Sequence, residues 1–136
     1  MKKFCFVFLI FLCFVPVRQV RAQHQLRVEI TNLRSSEGKI LLQLLDKEKN
    51  ELSGYSQSVT ERKCTIVIRN LPPGVYAFRF FHDENSNNEL DTNWLGLPKE
   101  GYGFSNNAKG NFGPPAFEKW LFVLHSNRKE SCEPHY

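Results

Sequence analysis

Beyond residue 22 the chain keeps a period of two. Leu26, Val28 and Ile30 alternate with Arg27 and Glu29, and Cys64, Ile66 and Ile68 alternate with Thr65 and Val67. Such spacing puts each apolar set on one face of a β-strand. Tyr76, Phe78 and Phe80 alternate with Ala77, Arg79 and Phe81, and Trp120, Phe122 and Leu124 alternate with Leu121 and Val123. The run KILLQLLD at 39–46 is apolar on both faces and predicts a central strand, while Tyr55 to Val59 adds a weaker sixth. Turn signals separate these runs: SSEG at 35–38, and LPPG at 71–74, where proline pre-sets φ and glycine supplies the permissive position. With no amphipathic helical pattern between them, an all-β antiparallel sandwich is expected.

Residues 1–22 follow another rule. Lys2 and Lys3 precede an apolar run from Phe4 to Val15, then Pro16 and VRQVRA, which is the layout of a cleavable secretory signal ending at Ala22. The run is shorter than the roughly 20 residues of a membrane span. A lipoprotein anchor is disfavoured because Leu12 and Phe4, rather than small residues, precede Cys13 and Cys5. The expected organisation is therefore a signal peptide at 1–22 and one domain at 23–136, secreted or periplasmic, with no transmembrane span.

Removing the signal changes the charge and the cysteines. Four of the 18 basic residues leave with it, so 14 basic residues face 14 acidic ones. That balance gives no footprint for nucleic acid or an anionic membrane, and Arg128 with Lys129 reads as part of a solvated tail. Cys64 and Cys132 remain. In an oxidising compartment a disulfide between them, tying the tail to the sandwich, is the expected state, with two unpaired thiols as the alternative.

The strand rhythm stops at 83–115, which holds five of the eight glycines. Loops of this length are uncommon unless functional or disordered. Trp94, Leu95, Leu97, Tyr102, Phe104 and Phe112 supply enough apolar surface to pack as a mini-core that orders it. The same aromatics, displayed on a loop-rich edge, would suit a protein or carbohydrate ligand.

This segment continues a longer string, NLPPGVYAFRFFHDENSNNELDTNWLGLPKEGYGFSNNAKGNFGPPAFEKWLFVL at 70–124. It resembles the secreted bacterial domain of unknown function 2141 family. The carrying motifs are the Pro-Gly-Tyr-like turn, the HDxNxNGxLD-like loop, LGxPxEGYGFSN and the Pro-Phe-like entry to the last strand. The resemblance implies an immunoglobulin-like or transthyretin-like sandwich with one long structured loop, outside the cytoplasm. It implies no established activity.

Within the loop, Asp83, Asn85, Asn87, Glu89 and Asp91 offer oxygens at alternate positions, as a calcium loop does, and Glu100 could return to complete a site. Asn88 stands where such loops place glycine, and Trp94 where an EF-hand places its bidentate glutamate, so an EF-hand is excluded. The alternative is an Asx-rich turn held by its own amides, without metal. His82 invites a catalytic or ligand-binding reading, yet a histidine ending an aromatic strand more often hydrogen-bonds the adjoining loop. Ser86 and Ser105 lie in Asn-rich turns rather than in a GxSxG elbow. Two functions thus stand: a non-enzymatic binding or structural module, calcium-stabilised at the loop, and a small-molecule hydrolase using His82 with the acidic cluster.

Overall fold

The computed structural model describes residues 22–111 and 113–136. The expected signal peptide, Ala22 apart, lies outside the described residues, as does Phe112. Eight strands follow in order: β1 (His24–Ile30), β2 (Lys39–Asp46), β3 (Glu51–Ser58), β4 (Cys64–Leu71), β5 (Gly74–Asp83), β6 (Tyr102–Phe104), β7 (Phe122–Leu124) and β8 (Arg128–Cys132). They form two sheets, one ordered β4-β1-β8 and the other β3-β2-β5-β6, with β7 also paired to β5. The molecule is all-β.

The alternation dictates how the sheets meet. Leu26, Val28, Ile30, Ile66 and Ile68 from one sheet, and Ile40, Leu42, Leu44, Phe78, Phe80, Phe122 and Leu124 from the other, form one buried core. Each carries its apolar set on the inner face. β2 is apolar on both faces for a second reason: outward Leu45 joins Ala77, Phe104 and Trp120 in a separate buried cluster on the far side of the larger sheet.

β6 and β7 share one edge of β5. β6 pairs with Arg79, Phe80 and Phe81, and β7 with Gly74, Val75 and Tyr76. The chain between them must therefore leave the edge and return to it. It does so over the outer face, through 3-10 turns at Ser105–Asn107 and Phe117–Lys119.

Three expectations are corrected. The sheets are not wholly antiparallel, because β8 runs parallel to β1. The chain reaches β8 by crossing from β7 in the other sheet, so no hairpin obliges it to oppose its neighbour. Arg128 and Lys129 belong to that strand rather than to a tail, with both Arg128 Nη2 and its Nε 2.8 Å from Glu130 Oε1. The third correction concerns the disulfide. Cys64 and Cys132 are both free and buried, and both are paired to Ile30, one from each side. Two strand spacings put their Cα atoms roughly 9–10 Å apart, beyond the ~6.8 Å a disulfide normally spans.

Candidate functional site

Asp83 closes β5 and is fully buried. Its Oδ1 accepts the Asn87 N–H at 3.0 Å and its Oδ2 the Asn88 N–H at 3.0 Å, while Lys39 Nζ lies 3.7 Å from Oδ2. Asn85 Oδ1 accepts the Asn87 N–H at 3.1 Å, and Asn87 Oδ1 accepts the Glu89 N–H at 2.8 Å. These are Asx turns in series, and they hold Ser86 and Asn88 at φ 61° and 67°. Asparagine adopts that conformation more readily than most residues, which is why it can stand in for glycine at 88.

The remaining oxygens are also engaged. Asp91 accepts Asn85 Nδ2 at 2.6 Å and Asn87 Nδ2 at 3.1 Å. Buried Glu100 accepts the Glu84 N–H at 2.9 Å and the Asp91 N–H at 3.1 Å, bracing both ends of the loop at once. The fold thus gathers Asp83, Asn85, Asn87 and Asp91. Glu89 is exposed and enters through its backbone, and Glu100 acts on the loop's N–H groups. Among the described residues, no group of three or more His, Cys, Asp or Glu side chains is placed to hold a metal ion. As folded, the loop's carboxylates serve N–H donors and a lysine.

His82 is fully buried, and both its ring nitrogens are committed. Nε2 lies 2.8 Å from the Glu37 carbonyl, which can only accept, so Nε2 carries a proton. Nδ1 lies 3.3 Å from the Tyr136 hydroxyl and 3.7 Å from Glu84 Oε1, and that hydroxyl accepts the Arg34 N–H at 3.0 Å. Burial pushes the Tyr136 phenol up from its ordinary range, keeping it protonated. The last two residues are pinned by this contact and by the His135 backbone, which exchanges hydrogen bonds with Tyr102 at 2.7 and 2.9 Å. Nothing in the residues of the tail announced that role.

The aromatics divide. Tyr102 and Phe104 pack edge to face at 6.0 Å, and Phe104 lies 4.1 Å from Trp120, as a mini-core requires. Trp94, Leu95 and Leu97 do not join it: they are 90%, 61% and 57% exposed. Asn93 explains the display, since its Oδ1 accepts the Leu95 and Leu97 N–H groups at 2.9 and 3.0 Å. With Gly96 at φ 78°, that closes a tight turn that leaves Trp94 almost wholly in solvent.

Between the 90–98 loop, the 113–120 excursion and the outer face of the larger sheet lies a cleft of about 1,020 Å³. Leu41, Phe81, Tyr102 and Phe104 line it from the sheet, and Leu97, Phe117 and Trp120 from the loops. The floor also carries Gln43 and Arg79, with Arg79 Nε donating to Gln43 Oε1 at 2.6 Å. A volume at the upper end of the small-molecule range, apolar walls and a few polar groups are what a ligand site needs. The residue pattern had hidden it. Outward Leu41 and Phe81 read as strand alternation, and only the excursion between β6 and β7 turns that face into a concavity.

A family model for an uncharacterized protein conserved in bacteria matches residues 28–131. Comparison with curated proteins and with solved structures finds no match.

Proposed function

Because the chain belongs to the domain of unknown function 2141 (DUF2141) family of bacterial proteins, to which no activity is attached, we propose from its geometry that it is a secreted, non-enzymatic binding module. In this reading the two sheets are an immunoglobulin-like or transthyretin-like sandwich. The cleft on the outer sheet face is its ligand site, and the Trp94–Leu97 turn forms the rim. The observation that carries the reading is the cleft itself: an apolar concavity between the outer sheet face and the excursion that joins β6 to β7. The hydrolase alternative gains nothing from His82, whose two nitrogens are held by Glu37 and Tyr136 with no face open to a substrate.

The reading is tested with the tryptophans. Trp120 lines the cleft and Trp94 stands in solvent, so Trp94→Phe leaves one reporter inside the site. Decanol is expected to shift the Trp120 emission saturably. Leu41→Arg, which puts a charge on the floor, is expected to abolish the shift with little change in melting temperature. A response that never saturates, or that Leu41→Arg leaves intact, would remove the cleft as the ligand site.

Calcium belongs to the proposal as a second, independent element. Four oxygen-bearing side chains, Asp83, Asn85, Asn87 and Asp91, converge on one turn, and each side-chain oxygen has a second lone pair. Calcium would replace the two asparagine donors at Asp91 and work against the Lys39 charge beside Asp83, so its binding is expected to be weak.

A further inference from the structure

We infer that the cleft selects amphipathic anions: an apolar body over the aromatic floor and one carboxylate on Arg79. The inference rests on the reading of the cleft as a ligand site and adds its charge preference. Among the described residues, the only charged side chains lining the cleft are Lys49 and Arg79. Both are cations, and neither lies within ion-pairing distance of a carboxylate. Arg27, Arg34, Lys39, Lys47, Arg128 and Lys129 have acidic partners, whereas the two cations of the cleft do not.

Each cation is held in place by a neutral contact. Gln43 sits directly opposite Arg79 in the β2–β5 register and engages its Nε. The two Nη groups, the fork that grips a carboxylate with two parallel hydrogen bonds, are left free for a ligand. Lys49 belongs to the β2–β3 turn, where the Asp46 carboxylate accepts the Glu48 and Asn50 N–H groups at 2.9 and 2.8 Å. That turn holds Lys49 at φ 70° and sets its ammonium 5.6 Å above the Phe117 ring and 5.8 Å above Trp120. A cation over those ring faces is attracted to the wall of the cleft.

The physical consequence is a potential of one sign inside apolar walls. Both side chains reach solvent, so salt screens them, but no acidic lining side chain opposes their attraction for an anion. A neutral apolar ligand gains only from the floor. A carboxylate on the same tail gains a second contact, and a cation meets repulsion.

Three probes with one tail and three heads separate these cases: decanoate, decanol and decyltrimethylammonium, titrated at low ionic strength against Trp120 emission in the Trp94→Phe protein. Decanoate is expected to bind at least fivefold tighter than decanol, and decyltrimethylammonium more weakly than either. Arg79→Gln is expected to bring decanoate to the decanol level, Arg79→Lys to restore part of the preference, and added salt to reduce it. Saturable binding of all three heads with equal affinity would overturn the anion preference and leave the cleft standing as an apolar site. A preference that survives Arg79→Gln and Lys49→Gln together would also overturn it. Failure of all three probes to bind would remove both the preference and the ligand site.

Discussion

Ser105 looked inert in the sequence and is among the most constrained residues of the molecule. Its buried hydroxyl accepts the Phe78 N–H at 2.9 Å and lies 2.7 Å from the Trp120 carbonyl, joining β5 to the excursion that walls the cleft. Ser105→Ala leaves a buried donor and acceptor without partners. The expected loss is about 1–3 kcal/mol, read as a lower denaturation midpoint. The two cysteines set a different test. Burial pushes the Cys64 thiol up to about 11 and Cys132 to about 12, against 9.0 for an unburied thiol. Iodoacetamide at pH 8 is therefore expected to spare both in the native protein and to label both after denaturation. The pH dependence follows from the same shift. Above pH 9 the unfolded chain releases thiol protons that the folded chain keeps. The stability due to these thiols is complete below that pH and is lost as pH rises towards 11–12. Cys132→Ala is expected to flatten the part of this alkaline loss that Cys132 causes, seen by comparing denaturation midpoints at pH 8 and 10.5.

Among the strands, β6 and β8 were invisible in the sequence for opposite reasons. β6 is three residues long, and its central Gly103 shows no apolar side chain to complete an alternation. The fold explains the glycine: Gly103 lies opposite Phe80, and a Cβ there would come 2.4 Å from the Phe80 ring. Gly103→Ala is expected to cost about 1–3 kcal/mol by overpacking and to lower the melting temperature. An unchanged midpoint would mean that the Phe80 ring moves freely. β8 hides because it buries a charge. Glu130 is 7% exposed in a strand that reads RKESC, and it is tolerated because Arg128 and the Asn106 N–H satisfy its carboxylate.

For the molecule as a whole, the described residues of the long segment include a set of hydrogen-bonded turns fastened at several points. Glu100 braces the 83–91 loop, and Tyr136 anchors the terminus against His82. Calcium, if it joins the first of these, is expected at the ~10⁻⁴ to 10⁻³ M affinity of extracellular modules. At about ten times the dissociation constant, linkage gives about 1.4 kcal/mol, a melting-point rise on the order of 5–10 °C for a domain near this size. The measurement is thermal unfolding in chelator against millimolar calcium, for the native protein and for Asp83→Asn with Asp91→Asn. Equal melting temperatures for the native protein in the two buffers would leave its N–H donors as the whole account of the loop.

The sequence by itself determined the strands whose alternation is local, the position of the long segment and the family. Period-two burial needs no knowledge of distant residues, and Asx and Pro-Gly turns are written in neighbours. Partners remote along the chain settled the rest. Cys64 and Cys132 both looked ready to pair until their register placed Ile30 between them, since which strands are adjacent depends on the whole topology. Tyr102 and Trp94 are both loop aromatics, yet one is packed and the other exposed, because the turn at Asn93 faces one outward and β6 ties the other down. Arg79 and Lys49 are unremarkable charges in their own strand and turn. They meet in one cleft only because β6 and β7 share an edge and the chain between them must travel over the outer face.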